Sequence, residues 1–281
     1  NQQGAVQAHS LKLVKPKIIL ACDRGLDILK QLESEDATLL KGIELLSLQT
    51  DSSLLRVSDF RSAWYTQPSH NLAQTAQITA NWPCFYIFTS GTTGLPKASV
   101  MSHYRWLQAA SGMSTAVRLT ANDVFYCCLP LYHNNALTVS LGIVLAAGAC
   151  FALDEKFSAS KFWQRISHYQ ATAFCYIGEL LRYLLNQPGH MEDQNHEVRL
   201  ILGNGLRPEI WIDFENRFGI HHIFEFYGAS ESNLGFMNAF GLRETVGFCP
   251  MPFEVVACDP DTEQVIRNPR GFCTSVERGQ V

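Results

Sequence analysis

The chain has 281 residues, 47% of them apolar, 17% charged and 11% aromatic, a globular composition that excludes a disordered tail. That length is more than one ordinary core uses, so one large or two unequal domains are expected. The formal charge of −4 supplies no basic field, which argues against nucleic acid as a partner.

From the start, "KIILAC" (17–22) reads as a buried strand, "GLDILKQLES" as a helix and "GIELLSL" (43–49) as a second strand. Residues 50–80 are polar and mixed, and a connection with little regular pattern is expected there. "CFYIFTS" (84–90) is a strand that runs into a loop crowded with small residues. Ser102 suits the cap of a helix whose Trp106, Ala110, Met113 and Val117 share one face. "DVFYCCLP" (123–130) is a strand, on which Cys127 and Cys128 point to opposite faces.

The uncharged run from Ala136 to Leu153 reaches the ~18 residues that a membrane-spanning helix needs. Thr138, Ser140, Gly142 and Gly148 interrupt it, and a buried helix followed by a buried strand accounts for the same residues. Beyond it, "SASKFWQRISHY" is an amphipathic helix, "ATAFCYI" a strand, "ELLRYLLNQ" a helix and "VRLILG" (198–203) a strand. The next helix has Pro208 near its start and Gly219 just past its end. "HIFEFYG" (222–228) is a strand with Phe224 and Phe226 on one face and Glu225 and Tyr227 on the other; His221 and His222 form its exposed entrance. This alternation predicts an α/β fold of layered, mostly parallel sheets covered by helices. After about Gly241 the pattern changes, and "FEVVACDPDTEQVI" reads as an antiparallel hairpin turning at Asp259–Thr262. The expected organisation is an α/β part over 1–240 and the start of a smaller β-rich subdomain over 241–281.

Nine scattered cysteines without a CxxC pair read as reduced thiols in a cytoplasm-like compartment, and no spacing supports zinc. The chain begins at Asn1 rather than Met and stops on "VERGQV", and is expected to be an internal piece of a longer protein.

The chemistry concentrates in "YIFTSGTTGLPKASVMSH" (86–103). Glycines let a backbone approach a ligand closely, hydroxyl and amide groups donate hydrogen bonds, and Lys97 adds a point charge, a set suited to a phosphate chain. A Thr-rich flexible turn is the plain alternative. A Walker A loop is excluded, because the second glycine position holds Pro96 and Lys97 is followed by Ala98.

"TSGTTGLPK" (89–97) resembles the phosphate loop of the adenylate-forming superfamily of acyl-CoA synthetases, luciferases and adenylation domains. In the same order, "LPLYHNNA" (129–136) resembles that family's carboxylate-pocket motif, "ILGNGLRP" (201–208) its adenine-contacting turn and "FEFYGASESN" (224–233) its YGxTE motif. The wording of these motifs is most similar to the fatty-acid transport protein and very-long-chain acyl-CoA synthetase branch. Two positions depart from the pattern: Ser230 stands for the Thr of YGxTE, and Ser232 for a residue commonly Gly.

The resemblance implies ATP- and magnesium-dependent activation of a long- or very-long-chain fatty acid to an acyl-adenylate, then transfer to coenzyme A. It implies that Thr89, Ser90, Gly91, Thr92, Thr93, Gly94 and Lys97 hold the β- and γ-phosphates. Gly203, Asn204 and Gly205 would line the adenine, with Glu225, Phe226, Tyr227 and Gly228 continuing that wall. Ser230 would meet the α-phosphate, Glu231 and Thr89 would ligate magnesium, and Tyr132 and His133 would border the way in for the acyl chain. Lys97, His133, Ser230 and Glu231 are the expected catalytic residues. Singly, Glu231 reads equally as a solvated turn carboxylate, His133 as a satisfied buried histidine and Tyr227 as a packing residue.

No "TGD" occurs, so the family's ribose-binding Asp, hinge and C-terminal lysine are expected beyond Val281, and residues 1–281 alone are expected to be nearly inactive. Other readings are a ligase for an aryl, amino or bile-type acid, a fatty-acid uptake protein at a membrane, and an inactive nucleotide-binding relic. Peripheral membrane contact through parts outside this segment fits the branch; the sequence is silent on oligomeric state.

Overall fold

The computed structural model describes residues 3–48, 57–90, 94–189, 193–232, 234–262 and 264–276. They form two compact units, Asn1–Phe157 and Ser158–Val281.

The first unit opens with helix α1 (Gly4–Val14), strand β1 (Ile18–Ala21), helix α2 (Asp23–Glu35) and strands β2 (Glu44–Ser47) and β3 (Val57–Asp59). The three strands form a parallel sheet in the order β1-β2-β3. Leu26, Leu29 and Leu32 recur at helical spacing on α2, and Leu26 and Leu29 pack with Leu40 and Leu45 against Leu11, Ile19 and Val57. Burial of each such side chain contributes roughly 1.5–3 kcal/mol. Lys12 of α1 reaches Asp36 at 2.9 Å, and hydrogen bonds from Thr38 and then Lys12 hold the Asp36 carboxyl down at about 2.

The connection expected to lack regular structure instead carries β3, helix α3 (Phe60–Tyr65) and a 3-10 turn at Ala73–Gln77. The reason is local: the Asp59 carboxylate accepts the N–H groups of Arg61 and Ser62 and caps a helix too short to show periodicity. Strands β4 (Pro83–Thr89) and β5 (Lys97–Ser102) form an antiparallel hairpin around the Gly/Thr loop. The second arm of that hairpin was not expected from the sequence. Ser102 caps helix α4 (His103–Ala116), its hydroxyl accepting from the Arg105 N–H at 3.2 Å, and Ala110 and Val117 are buried as the periodicity implies.

Strand β6 (Val124–Cys127) pairs in parallel with β7 (Cys150–Leu153). Between them the apolar run divides into a wide π-helical segment (Asn135–Gly142), helix α5 (Ile143–Ala147) and a left-handed turn at Gly148 with φ +69°. The division into helix and strand therefore holds, but the strand is not the buried one expected, since Cys150 and Leu153 at its two ends are exposed. Among the described residues no helix is long and apolar enough to cross a membrane. Cys127 and Cys128 are both buried, and burial pushes the Cys128 thiol up to about 12.

The second unit contains helix α6 (Phe162–Tyr169), strand β8 (Ala173–Ile177), helix α7 (Gly178–Leu185), strand β9 (Leu200–Asn204), helix α8 (Pro208–Phe218) and strands β10 (Ile223–Gly228) and β11 (Gly235–Met237). β8, β9 and β10 pair in parallel and β11 closes antiparallel on β10. Leu200, Ile201 and Leu202 are completely buried, the continuous apolar run of a central parallel strand. Arg217 fastens the chain after α7 by binding Asp193 at 2.8 Å and the carbonyls of Leu185 and Gln187. The expected hairpin is present: Cys258 bridges Val265, and the Asp259 carboxylate accepts from the Asp261 and Thr262 N–H groups at the turn.

Trp163 stacks on the His196 ring at 4.7 Å and 9°, beside Phe218. The Val198 N–H donates to His196 Nδ1, so Nε2 carries the proton and donates to the Phe218 carbonyl at 3.1 Å. Burial lowers the His196 pKa from its ordinary 6.5. The neutral ring is thus favoured by folding, and its stabilisation is whole above the unfolded value and lost as pH falls through the lowered folded one. Urea unfolding should therefore show the advantage of the wild type over His196→Gln narrowing between about pH 7.5 and about pH 5. A gap that stays constant with pH would contradict this account of the ring.

Candidate functional site

In the first unit, Thr89 and Lys97 are direct partners across the β4–β5 hairpin, so the loop between them starts and ends at one place. The Thr89 hydroxyl is buried and has no hydrogen-bond partner. A buried polar group rarely stays unpaired, and an orphan at the mouth of such a loop fits an oxygen ligand or a cation held there. Ser90 and Lys97 are exposed, and Gly94 adopts φ +85°, a left-handed conformation that disfavours any other residue. Gly91, Thr92 and Thr93 lie outside the described residues. His9 on α1 comes within 3.1 Å of the Pro96 carbonyl through Nε2, a support for the loop that no sequence motif announced.

His133 is exposed, which removes the buried-histidine reading, and its ring lies 4.5 Å from that of Tyr132, also exposed. Both stand in the turn that leads into the π-helical segment, whose Ala136 and Leu137 amides donate to the His133 carbonyl. Trp106 of α4 donates its indole N–H to the Leu137 carbonyl at 3.3 Å, and Gly142 leaves room for Trp106 and Ala110. A π-helical turn frees carbonyls from the ordinary ladder, and here an indole takes one up.

In the second unit, parallel pairing brings the carboxyl ends of β8, β9 and β10 to one edge, with Ile177 opposite Asn204 and Gly203 opposite Glu225. Gly203 and Asn204 end β9, and Gly205 follows at φ +82°. Tyr227 is 63% exposed and Gly228 ends β10 at the same edge. Ser230 and Glu231 follow in the turn to β11, Ser230 half-buried and Glu231 exposed. Ser232, the unexplained departure, closes that turn: its N–H donates to the Ala229 carbonyl, and its hydroxyl exchanges hydrogen bonds with Leu234. Asn233 lies outside the described residues.

Two members of the adenine set face inward. Phe226 is buried, and the Glu225 carboxylate, 3% exposed, accepts the N–H groups of Gly205 and Leu206 and the hydroxyl of Tyr176. Glu225 therefore holds the turn from beneath. Burial raises its pKa, against the three donors that lower it. Sequence reading missed Tyr176, which sits in a wholly apolar-looking strand; the only signal was a phenol in a run that otherwise needs none.

Among known proteins, the AMP-binding enzyme family matches residues 3–271. The chain belongs to this family. It is similar to a medium/long-chain-fatty-acid–CoA ligase, FadD6, of Mycobacterium tuberculosis, 44% identical over 283 residues that span all of this chain and 45% of the relative. It is also similar to long-chain fatty acid transport protein 2 of Rattus norvegicus, 42% identical over 73% of this chain and 34% of the relative. The chain thus spans less than half the length of either relative. The fold of this AMP-binding family member matches ATP-bound MatB from Rhodopseudomonas palustris, with a TM-score of 0.75 and 22% identity over all of this chain and 52% of that one. It also matches the anthranilate CoA ligase AuaEII in complex with anthranoyl-AMP, with a TM-score of 0.76 and 16% identity over 95% of this chain and 52% of that one.

The turn depends on close backbone approach: a methyl at Gly178, the first residue of α7, would overlap the Gly205 carbonyl. Backbone cannot yield as a flexible side chain does. Gly178→Ala should therefore lower stability by more than about 2 kcal/mol in urea unfolding, while Gly112→Ala, in open space on α4, should not lower it. Equal behaviour of the two variants would show that the packing at Gly178 is not tight.

Proposed function

We propose that this chain is the nucleotide-gripping part of a fatty acid–CoA ligase that uses ATP and magnesium and forms AMP. The carrying observation is the buried, partnerless Thr89 hydroxyl in register with Lys97 at the mouth of the Gly/Thr loop. The similarity to a medium/long-chain-fatty-acid–CoA ligase over the whole chain supports the acyl substrate.

The reaction needs no protein nucleophile in its first half, because the substrate carboxylate attacks the α-phosphorus and pyrophosphate leaves. Catalysis is then alignment and charge neutralisation. In this reading Ser90, Gly94 and Lys97 bind the β- and γ-phosphates with Gly91, Thr92 and Thr93, and Ser230 donates to the α-phosphate. Gly203, Asn204, Gly205, Tyr227 and Gly228 shape the adenine site over Glu225 and Phe226. Tyr132 and His133 border the acyl chain. Magnesium, when bound, neutralises phosphate charge, and Thr89 and Glu231 are the residues that would hold it, few protein ligands being its habit. In the second half the coenzyme A thiol displaces AMP from the acyl-adenylate. Residues 1–240 are assigned to the α/β part and 241–281 to the start of a β-rich subdomain.

The proposed location is the cytoplasm, with any membrane contact made through parts outside this segment. A second reading, fatty-acid uptake at a membrane, is favoured by the resemblance to long-chain fatty acid transport proteins. Membrane fractionation of the full-length protein separates the two.

Pyrophosphate exchange by the full-length protein across a panel of acids should peak with medium- to very-long-chain fatty acids. Lys97→Ala and Glu231→Ala should each reduce it more than about tenfold, or ~1.4 kcal/mol in barrier, with unchanged thermal unfolding because both side chains are exposed. Wild-type rates in both variants would remove the assigned roles.

A further inference from the structure

We infer that Trp106 is a positioning residue: its indole N–H, by holding Leu137, fixes the turn that presents Tyr132 and His133 to the acyl substrate. The inference rests on the ligase reading above and on contacts within the first unit alone. Leu137 is gripped at both of its backbone groups. Its N–H donates to the His133 carbonyl at 3.0 Å, and its carbonyl accepts the Trp106 indole N–H at 3.3 Å. Trp106 therefore stands two hydrogen bonds away from His133.

Tyr132 and His133 are exposed, so core packing does not decide where their rings stand. Their place follows from the backbone. The His133 N–H is tied to the Pro130 carbonyl, and the His133 carbonyl to the Ala136 and Leu137 amides. The π-helical segment that begins there is of a kind that is rare and recurs at functional sites. From within, the Ser140 hydroxyl donates to the Asn135 carbonyl and the Thr138 hydroxyl to the Asn134 side chain. The Trp106 bond comes from another element, α4, and fixes the segment against the rest of the unit rather than against itself.

The indole is held in its turn. Its ring meets Phe85 of β4 edge-on, with centroids 5.3 Å apart at 73°. Phe85 lies four residues before Thr89 on the strand that leads into the Gly/Thr loop. On the other side Gly142 lies close: a methyl there would come within 3.4 Å of the indole nitrogen and 3.1 Å of the Ala110 side chain. One side chain thus touches both the strand of the phosphate loop and the segment behind Tyr132 and His133. Space filling on α4 would need the ring but not its N–H, and experiment can separate the two.

The test is pyrophosphate exchange by the full-length protein with palmitate and ATP. Trp106→Phe keeps a ring beside Phe85 and removes the donor. It should raise the KM for palmitate about fivefold or more, the scale of one hydrogen bond, with kcat and the KM for ATP within about twofold. Loss of folded protein would instead lower apparent kcat and leave both KM values alone. Gly142→Ala, which crowds the indole where it meets Leu137, should shift the palmitate KM in the same direction. Replacing the indole by its sulfur isostere, benzothiophene, deletes only the N–H and carries the test if Trp106→Phe fails to fold. Phe85→Leu removes the ring contact, keeps the donor and should leave the palmitate KM within about twofold. An unchanged palmitate KM in Trp106→Phe and in the isostere, or a Phe85→Leu as impaired as Trp106→Phe, overturns the inference and leaves the ligase reading standing. A wild type that shows no exchange with palmitate or any other acid overturns both.

Discussion

Parallel pairing of β8, β9 and β10 sends three chain ends to a single edge of the sheet. Each strand must leave the sheet there, and a chain leaving a sheet exposes backbone groups that the ladder no longer satisfies. The second unit resolves this at one point. Glu225 reaches along the edge and takes the Gly205 and Leu206 amides, while Tyr176 holds the carboxylate from the adjacent strand. Ligands in open α/β sheets gather outside such strand ends.

The β4–β5 hairpin reaches a comparable outcome by an opposite route. Where Glu225 satisfies its neighbours completely, Thr89 is left with a buried hydroxyl that nothing satisfies. An unpaired buried hydroxyl costs on the order of 1–3 kcal/mol, and a fold keeps such a cost where a ligand removes it. The difference between the two is physical: one, a carboxylate, has all its partners within the protein, and the other, a hydroxyl, has none. His9, 87 positions away in sequence from Pro96, supports the second by fixing the carbonyl next to Lys97.

Much of this was legible in the sequence, and for specific reasons. Helices with a buried stripe, such as α2 and α8, announce themselves by spacing, and Pro208 and Gly219 mark the ends of α8. Gly148 divided the apolar run correctly because a left-handed residue ends a helix wherever it stands. Short elements were not legible. β3 has three residues, too few to show alternation, and α3 depends on one capping carboxylate. β5 was hidden because its register is imposed by β4 rather than by its own pattern. Motif residues were legible as a set, but not the direction in which each faces: Glu225 and Tyr227 share the alternation of β10, yet one is buried and the other open.

That last pair explains why a motif is a poor guide to which of its members touches a ligand. Residues two apart on a strand point the same way while the strand stays in the sheet. β10 ends at Gly228, so Tyr227 stands where cover from neighbouring elements runs out, whereas Glu225 is still opposite Gly203 within the ladder. Distance from the strand end, not side-chain chemistry, separates the residue that presents from the residue that supports. The same logic accounts for Ser232, where glycine is commoner in the branch. Its hydroxyl hydrogen-bonds the Leu234 backbone where the chain turns into β11, a contact that a glycine there would lack. Serine at that position is thus a matter of turn closure, in the same loop that carries Ser230 and Glu231.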